Sequence, residues 1–414
     1  MTRRFHVIGA GMAGLSAACS LAGSGSSVVL YEAARAAGGR CRSYFDQALG
    51  CRIDNGNHLL MSGNHAVMAY LARIGAKDTL AGPNKPLFPF IDLISGAEWV
   101  LRFNRGRLPW WVLKRKWRVP ETSARDYLAL LRLRRAGPED LVSTLFGGLG
   151  PIYEKFLEPL AIAALNTKLD VASAAPLRAV IAETLERGGR ASLPRYPRTG
   201  LSESFVDPAL DYLRGRGADL RFGARIGAIA IEGSRAAKLS GPNIDEAIGP
   251  EDRVILAVPP WVAADLLPGL TAPDRFEAII NLHFRAGIDA GPSGFYGLIG
   301  GMAEWVFEKS EVVSVTISAA NDRLEMDADD IAAAVWADLR RGFGLPRTIP
   351  DYRVVKEKRA TFAATPGQLA RRPAPSIGIA NLALAGDWTA TGLPATIEGA
   401  IRSGETAARI LTDS

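Results

Sequence analysis

The sequence predicts an α/β fold: a Rossmann-like nucleotide-binding domain assembled from separated stretches of chain, with an α+β domain inserted between them. Three observations carry this. A glycine-spaced turn, Gly9-Ala10-Gly11-Met12-Ala13-Gly14, stands between a short apolar strand and a helix of small residues. Glu32 closes the next apolar strand, about twenty residues on, where such a turn needs a carboxylate. The strand–helix alternation then lapses between about residues 81 and 195, and returns around 201–260 and after residue 376.

The bulk properties agree. A chain of 414 residues exceeds what one hydrophobic core usually serves, so two domains are expected. The expected nucleotide-binding domain comprises 1–80, 196–275 and 376–414, and the substrate domain 81–195 and 276–375. With 48% hydrophobic and 22% charged residues the composition is that of a globular protein. A net charge of +6 suits an anionic cofactor, an acidic membrane surface or nucleic acid, and selects none of them. The three cysteines, Cys19, Cys41 and Cys51, form no CxxC, and His6, His58, His65 and His283 are scattered; a reducing compartment and no structural metal are expected.

Taken in order, Phe5–Ile8 reads as a strand, Met12–Leu21 as a helix and Val28–Tyr31 as a second strand. No charge interrupts residues 5–31, as in a signal peptide, but ten of these 27 residues are Gly or Ser and the glycines keep phosphate-loop spacing, which favours a buried βαβ unit. In that unit Gly9 allows the tight turn, Gly11 the approach of a pyrophosphate, and Gly14 close packing of the helix. The first-turn N–H groups of Met12 and Ala13 face the anion, and Glu32 takes the ribose hydroxyls. Between 81 and 195, Pro-rich turns alternate with helices expected at Ala124–Arg135, Leu141–Phe146 and Pro176–Leu185. Next come a helix near Phe205–Arg214 and strands Asp219–Phe222, Ile226–Ile231 and Arg253–Val258. An antiparallel meander follows (Asn281–Ile288, Gly294–Ile299, Trp305–Glu308, Val312–Ser318), then a helix at Asp327–Arg341 and a strand at Tyr352–Thr361. The segment Arg102–Arg118 holds seven cations, three tryptophans and no acid, a composition suited to the headgroup layer of a membrane; nucleic-acid binding is set aside, because no recognised fold supports it.

After Glu32 comes Gly38-Gly39-Arg40, which resembles the second dinucleotide motif of the flavin amine-oxidase superfamily; an NAD dehydrogenase has no use for it. The resemblance implies FAD, bound non-covalently in a GR2-type FAD-binding domain, with Gly38, Gly39 and Arg40 beside pyrophosphate and flavin. Gly386-Asp387 resembles the family's Gly-Asp at the ribityl or pyrophosphate region. Thr391–Ala400 resembles the helix start whose N–H groups meet the flavin, with Pro394, Ala395 and Thr396 at its opening and Pro near the first helical position. Arg225-Ile226 resembles the strand that holds adenine, and Ala257–Pro260 a turn near the isoalloxazine. Asp54–Leu60, Ser62–Asn64, Ala164–Thr167 and Asp387–Pro394 together resemble the hydroxysqualene dehydroxylase family of bacterial hopanoid synthesis. That resemblance implies reductive removal of an allylic hydroxyl from an isoprenoid, hydroxysqualene, to give squalene, with hydride passing from reduced flavin to an allylic cation. Asn57 and His58 would adjoin the cofactor, and His58 or His283 would donate the proton to the leaving hydroxyl. With so insoluble a substrate, the basic aromatic segment suggests a cytoplasmic enzyme held peripherally on the inner membrane, and the flavin needs an electron donor, either a separate electron-donating reductase as partner or a transient NAD(P)H contact. The rival readings are a carotenoid or other isoprenoid desaturase and a non-catalytic prenyl-binding carrier. Amine oxidation ranks lower, because His283 stands near where amine oxidases carry a lysine.

Overall fold

The computed structural model describes residues 3–413. Its first sheet is wholly parallel. Strand β1 (Arg4–Ile8) is central, flanked on one side by β2 (Ser27–Glu32) and then Asp219–Phe222, and on the other by Arg253–Leu256 and then Leu382–Leu384. Such strands are buried on both faces, and their composition shows it: Val7, Leu30, Ile255 and Ala383 pack on one side, Ile8, Val29, Val254 and Leu382 on the other. The order of connection reverses at β1, and in open α/β sheets the crevice beyond the carboxyl ends at that point receives the ligand.

Helix α1 (Met12–Gly23) follows β1 and lies along α2 (Ile397–Thr412). Small residues make the seam close: Ser16 Oγ donates to Ile401 O at 2.9 Å, and a Cβ on Gly404 would stand 2.1 Å from Ala13 O. Glu398, in the first turn of α2, is buried and uses both oxygens on the N–H groups of Ala66 and Val67 at the head of helix His65–Arg73, while Arg402 pairs with it at 2.8 Å. A carboxylate at a helix N-terminus satisfies donors that have no intrahelical partner.

The second sheet has seven strands in the order Tyr352–Phe362, β3 (Phe276–Phe284), β4 (Val313–Ile317), Trp305–Glu308, Phe295–Ile299, Leu87–Asp92 and Glu98–Arg102. The expected meander is there, with one correction: Leu87–Asp92 joins Phe295–Ile299 in parallel, so the sheet is mixed. Alternation along β3 and β4 divides the two faces. Ile280, Leu282, Phe284, Val313, Val315 and Ile317 meet Ile331, Val335 and Trp336 of helix Ala328–Phe343 in one apolar cluster. Asn281, His283, Ser314 and Thr316 alternate with them and bond one another and the loop after Asp54.

Three further expectations are corrected. Asp126–Arg135 forms ten residues of 3₁₀ rather than α-helix, and its inward side chains recur every third residue: buried Tyr127, half-buried Leu130, buried Leu133 and the following Ala136. Residues 224–227 are irregular: Ala224 N bonds Glu32 O and Gly227 N bonds Ser240 O, so the strand opens at Ala228 and belongs to a separate antiparallel sheet of three. Pro394 lies three residues ahead of α2, whose N-cap is Thr396, its side chain accepting from Gly399 N at 3.1 Å.

Candidate functional site

Four motif segments leave the carboxyl ends of four adjacent parallel strands. The glycine turn follows β1, Glu32 ends β2, Ala257-Val258-Pro259 follows Arg253–Leu256, and Ala385-Gly386-Asp387 follows Leu382–Leu384. The backbone binds these exits together. Gly9 N donates to Tyr31 O (2.7 Å), Ala257 N to Ile8 O (2.8 Å) and Ala385 N to Leu256 O (2.9 Å). Segments nearly 380 residues apart thus converge on one crevice.

The glycine turn is built for a close approach. Gly9 has φ +103°, and a Cβ there would meet Ala257 O at 2.5 Å; one on Gly14 would meet Gly9 O at 1.8 Å. At Gly11, by contrast, a Cβ would have no atom within 4 Å. The turn is therefore packed behind and open in front. Gly11 caps α1 without a side chain, which leaves the N–H groups of Met12 and Ala13 free of intrahelical partners. Glu32 accepts from Ala10 N and Ala34 N, both at 2.8 Å, one on each oxygen, so that its carboxylate is fixed at the sheet edge with lone pairs to spare. Ile226 is buried close by, on the loop whose Ala224 N bonds Glu32 O.

Gly38 N donates to Ala10 O at 2.8 Å, which lays Gly38-Gly39 against Gly11, and Arg40 reaches across to the last motif. Its Nη2 lies 2.8 and 2.7 Å from the two carboxylate oxygens of Asp387, and its Nη1 donates to Ala360 O. Gly386 N is held by Ser403 Oγ (2.8 Å), and Trp388 spans back to Val258 O (2.9 Å). An acceptor and donor set of this kind, with an open glycine turn and an unshielded helix start, fits a dinucleotide. Glu32 would hold the ribose, the N–H groups of residues 11–14 the pyrophosphate, and Arg40, Asp387 and the Pro394-Ala395-Thr396 approach to α2 the remainder.

The loop after Asp54 joins this crevice to the second sheet. Asn57 Nδ2 donates to Ser314 Oγ (2.8 Å) and Thr316 Oγ1 (3.1 Å), Thr316 donates on to Asn281 Oδ1 (2.9 Å), and Asn281 Nδ2 returns to Asn55 O (3.2 Å). Ser314 Oγ also lies 2.9 Å from His283 Nδ1, a hydrogen bond in which either group can be the donor. Burial holds His283 down at about 4, against the opposing charge of Asp54. His58 is likewise pushed to about 4 by burial, Asp54 again opposing. Both imidazoles are therefore neutral near pH 7, a poor state for donating a proton as imidazolium.

Sequence reasoning missed three groups. Lys309, nearly buried, lies 3.4 Å from Asp54 Oδ2. Arg372 ties down the segment after Asp387. Trp388 bridges two motifs. Lys309 and Arg372 belong to no local pattern, and Trp388, although it lies within the Asp387–Pro394 stretch, acquires its bond to Val258 only through the tertiary fold. A cavity of about 620 Å³ between Ile229, Leu266, Leu270 and Ile379 contains none of the motif residues. Of the three tryptophans in Arg102–Arg118, Trp111 is core, packed edge-on to Phe103 and Tyr127, and Trp117 lies under Arg102 and Lys114; Trp110 stands out at 61% exposure.

The model of the flavin-containing amine oxidoreductase family matches residues 12–290 and 300–412. The hydroxysqualene dehydroxylase of Zymomonas mobilis subsp. mobilis is 44% identical over 97% of both chains, and that of Rhodopseudomonas palustris 45% identical over 99% of both. An oxidoreductase from Methanosarcina mazei superposes with a TM-score of 0.74 at 16% identity, covering 98% of this chain and 100% of its own, a likeness of fold alone.

Proposed function

Since the chain belongs to the flavin-containing amine oxidoreductase family, and within it to the hydroxysqualene dehydroxylases, we propose that it removes the allylic hydroxyl of hydroxysqualene to give squalene. The observation that carries this is identity of 44–45% with two such enzymes over nearly the whole of each chain. When bound and reduced, FAD supplies the hydride that replaces the hydroxyl, and water leaves with one added proton. The protein's part is to hold, orient and keep dry. Residues 9–14, Glu32, Gly38–Arg40 and Asp387 hold the nucleotide. Asn57, His58 and His283 line the seam with the second sheet, where the two imidazoles serve as neutral hydrogen-bonding groups. The same reading divides the chain into a discontinuous nucleotide-binding domain (1–80, 196–275, 376–414) and a substrate domain, a division that the two sheets and their separate hydrophobic clusters support. The stoichiometry asks for a donor that reloads the flavin with two electrons, either an electron-donating reductase or a transient NAD(P)H contact. The test is anaerobic mixing of the photoreduced protein with hydroxysqualene. Flavin re-oxidation with equimolar squalene is expected, and flavin-loaded protein that yields no squalene overturns the assignment.

A substrate of this length is nearly insoluble in water, so we also propose that the enzyme draws it from the cytoplasmic leaflet without crossing the bilayer. Among the described residues no helix is long and apolar enough to span one. Leu108, Trp110 and Leu113 are 64%, 61% and 63% exposed, and Leu128 and Leu131 on the neighbouring 3₁₀ segment 62% and 51%. Exposed Arg105, Arg107, Lys114, Arg115 and Lys116 accompany them, each worth ~1 kcal/mol at an anionic surface. Replacing Lys114, Arg115 and Lys116 by serine should therefore cut binding to phosphatidylglycerol vesicles roughly a hundredfold. Serine at Leu108, Trp110 and Leu113 should abolish flotation, while Trp111 must stay because it is core. Equal recovery of all three proteins would discard the docking surface.

A further inference from the structure

Arg372 occupies an unusual electrostatic position. Its guanidinium lies 4.9 Å from the centroid of the Phe362 ring and faces four oxygens of the segment after Asp387, one at Nη1 and three that share the two hydrogens of Nη2. These are Leu393 O at 2.8 Å, Asp387 O at 3.1 Å, Thr391 Oγ1 at 2.8 Å, and Thr389 O. All four are neutral. Among the described residues no carboxylate oxygen lies within ion-pair distance of it: Asp387 gives its carboxylate to Arg40, and the neighbouring Arg371 is spent on Asp274 at 3.0 Å. A cation that is largely removed from water without an anionic partner is costly, and burial brings this one down to about 10, with the Asp387 charge opposing. The chain beside it is fastened too, since Ala390 N donates to Pro373 O at 2.9 Å. The arrangement stiffens the whole approach from Asp387 to the N-cap of α2, where no regular secondary structure does so.

We propose that Arg372 is a positioning residue: it holds residues 387–393 in the conformation that receives the flavin, and its unneutralised charge favours the reduced, more negative cofactor. This rests on the placement of the flavin between Asp387 and the start of α2. A lysine keeps the charge but cannot reach four acceptors from one rigid fork, which separates the two roles. The test compares Arg372→Met and Arg372→Lys with the full-length wild type, reading FAD affinity by fluorescence and the two-electron midpoint potential against a reference dye.

Methionine is expected to weaken FAD at least tenfold and to lower the midpoint by about 30 mV, equivalent to a tenfold shift in the reduced-to-oxidised ratio. Lysine is expected to restore the potential but not the affinity. Wild-type affinity and potential in the methionine protein would overturn the proposal. Should the methionine protein fail to fold, the lysine protein decides alone: affinity equal to wild type, or a midpoint lowered despite the retained charge, would overturn it. Wild-type protein that takes up no FAD at all would instead bring down the flavin placement on which it rests.

Discussion

Alanine at position 14 is expected to leave the protein without flavin and with a weakened fold. The added carbon would stand 1.8 Å from Gly9 O, and Gly9 cannot retreat, because its φ of +103° and its bond to Tyr31 O at 2.7 Å fix the turn. Helix α1 would have to tilt away from the sheet, opening the seam at Gly404 and Ser16. Overpacking of this kind costs about 1–3 kcal/mol, and more where backbone opposes backbone. Gly11→Ala provides the contrast. There the new methyl meets nothing in the protein, so the apoprotein should melt as wild type does, while the methyl fills the room that a pyrophosphate needs. Thermal melts of the two apoproteins, together with the visible-to-ultraviolet absorbance ratio after loading, check both halves. Full flavin occupancy in Gly14→Ala would show that the turn does not hold the nucleotide.

The second large effect is expected at Asp387. Its carboxylate is nearly buried and meets both contacts from Arg40, so Asp387→Ala strands a guanidinium in a crevice. Removing one partner of a buried pair costs about 3–5 kcal/mol; with Arg40 about half-exposed, roughly 2–3 is the better expectation. The double variant Arg40→Met/Asp387→Ala should regain most of that stability, since neither charge is then unpaired, yet should still fail to hold FAD. Denaturant titration of the apoproteins gives the coupling energy, and equilibrium dialysis the flavin occupancy. A coupling near zero would mean that the pair contributes nothing to the fold.

Much of the candidate cofactor site is legible in the sequence because its parts are local. The turn from Gly9 to Gly14, the carboxylate at Glu32 and the Gly-Asp at 386–387 each need only a strand, a turn and a helix start, and these are set by a few neighbouring residues. What escaped was long-range. Nothing within Leu87–Asp92 foretells a parallel partner at Gly297–Ile299, and nothing near Arg372 foretells acceptors at 387–393. Ile226 is expected on a strand because Arg225-Ile226 resembles the one that holds adenine, but the bonds of its neighbours to Glu32 and Ser240 keep that stretch irregular. The period of three at Tyr127, Leu130 and Leu133 was open to reading, yet the apolar density of that segment suggested the commoner helix. For His58 and His283 the sequence identified groups near the seam but not their protonation, which depends on the desolvation and on the neighbouring Asp54 and Lys309 charges that only the fold supplies.

The seam between the first and last helices also bears on how the protein is made. Ser16 and Ile401 touch across 385 positions, so the nucleotide cradle is closed by one of the longest loops the chain can form. Such contacts are entropically late, and until they form, the apolar flanks of both helices stay open to misassociation. Held as proposed, FAD would bridge segments on either side of that closure and stabilise only the closed state, by about 2.7 kcal/mol when free cofactor stands at a hundred times its dissociation constant. Riboflavin supply would then govern how much of the polypeptide survives in the cell as well as how fast the survivors turn over.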